Sequence, residues 1–105
     1  MAQYRGTTPK HIFETDIDLT TCEVIYLTYE QGPECKPKKI LEKVKEDMVV
    51  EADKVSVVLT QEETLKFNPD EKIAMQFRVR YPNDDALASN KMYATFEDIL
   101  KGGVI

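Results

Sequence analysis

The chain has 105 residues, 42% of them apolar, which is enough for one hydrophobic core and too few residues for two domains of ordinary size. Its 19 acidic and 14 basic residues leave a formal charge of -5, which repels phosphate backbones and argues against nucleic acid as a partner. No stretch approaches the roughly 18 to 20 consecutive apolar residues of a membrane helix, and no basic segment followed by an apolar run opens the chain, so the expectation is a cytoplasmic protein with no membrane partner.

Met1 to Pro9 is polar and holds Gly6, Thr7, Thr8 and Pro9, which predicts an irregular lead-in ordered only by a binding partner. A first strand follows at about His11 to Thr15, then a turn-prone segment from Asp16 to Thr21. In the second strand, Glu23 to Glu30, Val24, Tyr26 and Thr28 face one way and Ile25, Leu27 and Tyr29 the other. Both faces are largely apolar, which places it inside a sheet rather than at an edge. Gly32, Pro33 and Pro37 make Gln31 to Pro37 a loop.

Lys38 to Glu46 fits a helical face or a strand, since Ile40, Leu41 and Val44 satisfy either period; its short length and its neighbours favour strand. Met48 to Ala52 and Lys54 to Thr60 read as two strands joined by a tight turn near Asp53, the second pointing Val55, Val57 and Leu59 inward. Thr60 and Glu63 then form a capping box, and Asn68-Pro69-Asp70 stops the chain's one short helical turn, near residues 60–67, with Leu65 and Phe67 packing under the sheets. Lys72 to Tyr81 is the longest alternating run, laying Ile73, Met75, Phe77, Val79 and Tyr81 on one face. Pro82-Asn83-Asp84-Asp85 supplies a turn, Ala86 to Phe96 returns as a partner strand, and residues 97–105 form a tail in which Ile99, Leu100, Val104 and Ile105 are possible anchors.

About seven short strands with one helical turn predict an all-β fold, an immunoglobulin-like antiparallel β-sandwich forming a single domain over 1–105. It is not a true immunoglobulin domain, because the chain has no Trp and its two cysteines fall outside the inter-sheet positions. Cys22 and Cys35 lack CxxC spacing, and the single His cannot complete a four-ligand zinc site with them, so two reduced thiols are expected.

Catalytic chemistry has little to stand on. His11 is the only imidazole and has no acid or nucleophile beside it in sequence, and no phosphate loop, GxSxG or HExxH is present. Asp16, Asp18, Asp84 and Asp85 match no calcium-loop spacing and read as solvated turn residues. Arg78 and Arg80 read as surface charges paired with acids on neighbouring strands. No catalytic residue, metal ligand or cofactor is therefore expected.

The segments Tyr4-Arg5-Gly6-Thr7-Thr8-Pro9, Leu59 to Phe67, Gln76-Phe77-Arg78-Val79-Arg80, Ala86-Leu87-Ala88-Ser89-Asn90 and Ile99 to Ile105 together resemble a group of short phage- or prophage-encoded proteins of Gram-positive bacteria. The resemblance implies a virion-associated or assembly protein near tail or baseplate components, with an immunoglobulin-like sandwich and no catalytic residues. The chain departs from that pattern in its longer, Pro- and Lys-rich loop from Gln31 to Lys39, which leaves the path of the third strand open.

The function this predicts is a non-enzymatic protein–protein interaction module, whose partners are other phage structural subunits or copies of itself. Both ends carry recognisable sequence outside the expected sandwich, so Tyr4, Arg5, Thr7, Thr8, Val104 and Ile105 are the expected partner-binding residues. The alternative is a free-standing sandwich that binds a sugar or an ion through the end loops Gln31 to Pro37 and Pro82 to Asp85.

Overall fold

The computed structural model describes residues 3–14, 19–32 and 38–105. Among them the chain forms β1 (Lys10–Glu14), β2 (Val24–Gln31), β3 (Lys38–Val44), β4 (Met48–Val50), β5 (Lys54–Val58), the helix α1 (Gln61–Leu65), β6 (Ile73–Arg80), β7 (Ala86–Ala88) and β8 (Met92–Ala94). The strands make two antiparallel sheets, one ordered β1-β5-β4 and the other β3-β2-β6-β7, with β8 also paired to β6. This is an all-β sandwich, as the alternating sequence patterns require. The ambiguous segment from Lys38 is a strand up to Val44 and then a single 3-10 turn, Lys45–Asp47.

The long alternating run is the rib of the larger sheet. Its inward residues lie directly opposite the inward residues of β2, pairing Ile25 with Val79, Leu27 with Phe77, Tyr29 with Met75 and Gln31 with Ile73. All eight side chains are buried. From the other sheet Val55 and Val57 close the core, joined by Leu59 just past β5, all three fully buried. The outer face of β2 is not covered, however: Tyr26 is exposed, and Val24 and Thr28 are only half-buried. The strand is interior by hydrogen bonding alone, because apolar character on both faces does not supply a layer to cover the second one.

The expected seventh strand is two. Residues 86–88 pair with β6 in one register, Arg78 opposite Ala88, while residues 92–94 are displaced by one residue, with Met75 opposite Met92. The extra residue is a bulge, and Ser89 sits where the ladder breaks. Its amide donates to the Phe77 carbonyl at 2.9 Å, and its hydroxyl, rather than a carbonyl, accepts from the Phe77 amide at 3.0 Å. In the turn before β7, Asp84 adopts φ 70° and its amide donates to the Tyr81 carbonyl, the three-residue hairpin geometry in which a left-handed residue follows a type I turn.

Two polar side chains inside the sandwich fix the connection that carries α1. Gln31 is 3% exposed, and its amide group donates to the carbonyls of Asn68 and Glu71, both at 3.0 Å, while its oxygen accepts from the Asn68 amide at 2.7 Å. Every hydrogen-bonding position this side chain uses lies on the loop leaving the helix. At the helix start the capping box forms in both directions: the Thr60 hydroxyl accepts from the Glu63 amide, and the Glu63 carboxylate accepts from the Thr60 amide at 2.8 Å. Lys43 of β3 reaches the same carboxylate at 2.6 Å, tying the larger sheet to the helix. Burial pushes the Glu63 carboxyl up, but its bonds from Lys43 and Thr60 outweigh this and hold it below the usual range.

Replacing Gln31 by Leu removes the side chain's bonds and leaves the Asn68 amide and two carbonyls without it. The expected cost is about 2 kcal/mol, the scale of leaving buried polar groups unpaired. Urea unfolding of Gln31→Leu measures it, together with hydrogen exchange, in which the Asn68 amide loses protection before the β2–β6 ladder does.

Candidate functional site

The two ends of the chain meet around α1. Tyr4 forms a parallel bridge with Glu97, the Arg5 amide donates to the Glu97 carbonyl, and the Glu97 amide donates to the Gln3 carbonyl at 2.7 Å. The Arg5 guanidinium donates to the Leu65 carbonyl at 2.8 Å, at the helix end where a cation meets unpaired carbonyls, and to Asp98 at 2.9 Å. The buried Thr64 hydroxyl donates to the Thr7 carbonyl at 2.9 Å. Gly6 has φ 74°, a left-handed conformation that favours glycine where the two ends cross, and it lies against the Ile99 side chain.

The lead-in is therefore docked by the chain's own bonds, where its polar composition predicted order only on binding a partner. The tail is held differently from the expectation as well. Ile99 packs beneath Gly6, but the side chains of Leu100, Val104 and Ile105 are exposed, and the tail is fastened by its main chain, which exchanges two hydrogen bonds with the Gln61 amide group. Of the residues expected to meet a partner, Arg5 is engaged within the molecule, Thr8 is exposed, and Tyr4, Val104 and Ile105 present apolar surface at the end of the sandwich that holds α1.

His11 joins this end to the core. Its Nε2 lies 2.6 Å from the Gln3 side-chain oxygen, an acceptor, and its Nδ1 lies 2.9 Å from the Tyr29 hydroxyl. That arrangement suits a neutral ring with the proton on Nε2 and the Tyr29 hydroxyl donating to Nδ1. Burial lowers the His11 pKa, and burial together with the Glu63 carboxylate pushes the Tyr29 hydroxyl up, so both groups stay uncharged near neutrality. Both ring nitrogens are spent on internal partners, and the ring packs against Phe13, Tyr29 and Phe96.

Among the described residues no group of three or more His, Cys, Asp or Glu is placed to hold a metal ion. Asp84 and Asp85 are exposed, and the Asp85 carboxylate accepts from Asn83 in its own turn. Asp16, Asp18, Cys35 and most of the loop from Gln31 lie outside the described residues. Cys22 is a buried free thiol. Arg80 pairs with Glu23 at 3.7 Å, as expected for a surface charge. No described helix is long and apolar enough to cross a membrane.

The surface that sequence reasoning passed over is the outer face of the smaller sheet. Ile12, Val49 and Val58 are 56%, 61% and 54% exposed there. Ile12 and Val49 flank Ser56 in one row across the three strands, and Val58 lies two residues along β5. The signal was present in the doublets Ile12-Phe13, Val49-Val50 and Val57-Val58, because a strand that points one member of an apolar pair inward must point the other out. Beside this sheet, between β1 and β7, a cleft of about 140 Å³ lined by Phe13, Leu19, Val55, Phe77, Leu87 and Met92 opens onto the core.

Compared with protein-family models, curated proteins and solved structures, the chain matches none.

The half-buried His11 makes stability fall as the solution is acidified. Its folded pKa lies below the unfolded value, so near pH 7 both states are neutral; as pH drops through about 6.5 the unfolded chain takes up a proton that the folded chain refuses. The melting temperature is expected to decline from pH 7 towards pH 5, and His11→Gln, which removes the only histidine, to flatten that decline. Parallel melting curves for the two proteins across this window would rule out His11 as the cause.

Proposed function

We propose that the chain is a non-enzymatic protein–protein interaction module on an immunoglobulin-like scaffold, working as a structural or assembly component of a phage or prophage particle. The scaffold reading rests on strand order. With β1 to β6 taken as strands B, C, C′, D, E and F, and β7 with β8 as a divided G, the sheets read B-E-D and C′-C-F-G, an immunoglobulin order without a strand A among the described residues. The parallel bridge from Tyr4 to Glu97 puts the lead-in beside the end of that G strand. The particle setting rests on the resemblance of the Tyr4–Pro9, Leu59–Phe67 and Ile99–Ile105 segments to short phage proteins.

The observation that carries the interaction reading is the exposed group of Ile12, Val49 and Val58 on the outer face of the smaller sheet. Aliphatic side chains grouped on one open sheet face gain by being covered, at roughly 25 cal/mol per Å² of apolar surface removed from water. The docked termini add Tyr4, Val104 and Ile105 at the end near α1.

The reading is tested by tagging the chain in a bacterium that produces such particles and purifying them after induction. The chain is expected in particles or assembly intermediates, and Val49→Glu with Val58→Glu is expected to reduce its incorporation at least tenfold while circular dichroism stays unchanged. Full incorporation of the double variant would sink the role of this face, and absence of the wild-type chain from every particle fraction would sink the setting.

A further inference from the structure

The smaller sheet ends in β1, which pairs with β5 on one side and with no described strand on the other. The phase of its ladder is fixed by the Leu59 amide donating to the Pro9 carbonyl at 3.0 Å. Residues 9 and 59 are thus a hydrogen-bonded pair, and with Lys10 opposite Val58 and His11 opposite Val57 the next such pairs fall at His11 and Phe13. The main-chain groups of Lys10, Ile12 and Glu14 therefore point to the open edge. Their side chains share the outer face of the sheet: a cation, an exposed isoleucine and an anion, evenly spaced.

Deepening the interaction reading above and resting on it, we propose that the partner at this edge is a second copy of the chain, joined β1 to β1 antiparallel about a two-fold axis at Ile12. In that register Ile12 faces Ile12 of the other copy, and Lys10 of each copy faces Glu14 of the other. Each of these pairs exchanges both of its main-chain hydrogen bonds, because these are the residues whose groups are free. The pattern Lys-x-Ile-x-Glu is its own complement when reversed, as a two-fold interface requires. Both charges meet their opposites, and the sheets merge into one ordered β4-β5-β1-β1-β5-β4.

The other edges are less suited. β3 carries the exposed Lys38 and Lys39, which guard its edge, and β4 and β7 are three residues long. Pairing at β1 also brings the second copy beside the cleft that Phe13 and Leu87 line, covering apolar surface the isolated chain leaves open. Like charges placed directly opposite one another in a ladder oppose pairing, and opposite charges favour it.

Sedimentation equilibrium from micromolar to millimolar protein tests the proposal, with circular dichroism confirming that each variant folds. The wild-type mass is expected to rise with concentration from 12.1 kDa towards twice that value. Lys10→Glu alone puts acids opposite each other and Glu14→Lys alone puts lysines there, so each is expected to weaken association at least tenfold. The double exchange Lys10→Glu with Glu14→Lys restores both pairs and should recover the wild-type constant. Ile12→Pro, which deletes an amide that faces only the open edge, should also abolish association. A wild-type chain that stays monomeric at millimolar concentration overturns the proposal, as does a dimer indifferent to all four variants. Either outcome leaves the incorporation experiment above to decide the broader reading on its own terms.

Discussion

The pairing of β2 with β6 is the constraint on which the rest of the molecule depends. It runs unbroken from Val24 opposite Arg80 to Gln31 opposite Ile73, and its inner side is a double row of buried side chains. A one-residue slip of either strand would turn its row to solvent, so the register is held by the core itself. Every other element takes its place from that ladder. β3 pairs with the far side of β2, β7 and β8 hang from β6, and the smaller sheet lies across the inward rows with Val55 and Val57.

The end of the ladder also organises the region where the chain's ends meet. Gln31, the last residue of β2, holds the loop after α1, and Lys43 on the neighbouring strand holds the helix cap. The helix in turn receives Arg5 at its last carbonyl and Ile105 at its first residue. Tyr29, two residues before Gln31, meets His11, and His11 meets Gln3. A short helix of five residues has little stability of its own. It persists because polar groups from the larger sheet and from both termini close on it.

The smaller sheet has no such support on its outer side. Three short strands bury Val55 and Val57 and partly cover His11 and Phe13, yet leave Ile12, Val49 and Val58 to solvent and the backbone edge of β1 open. The immunoglobulin-like order we propose accounts for the open edge, since no described strand lies beside β1 and the lead-in crosses to the other sheet. The function we propose uses that unfilled side.

What the sequence determined by itself was local. Period-two alternation located β6 and the inward residues of β5, the Thr60–Glu63 spacing located the helix start, and Pro82 to Asp85 located a hairpin, because each signal depends on residues a few positions apart. The tertiary structure decided what depended on distant partners. Gln31 has no local mark of burial, and only the loop 37 to 40 residues away makes it tolerable inside. The lead-in has no periodicity, and its order comes from Leu65, Thr64 and Glu97, some 60 to 90 residues on. At the break in the last strand the Phe77 amide is bonded by the Ser89 hydroxyl, a pairing between strands that neither sequence shows alone. The apolar doublets at Ile12, Val49 and Val58 lie between the two cases: the sequence required one residue of each pair to face outward, and only the assembled sheet put those residues on the same face.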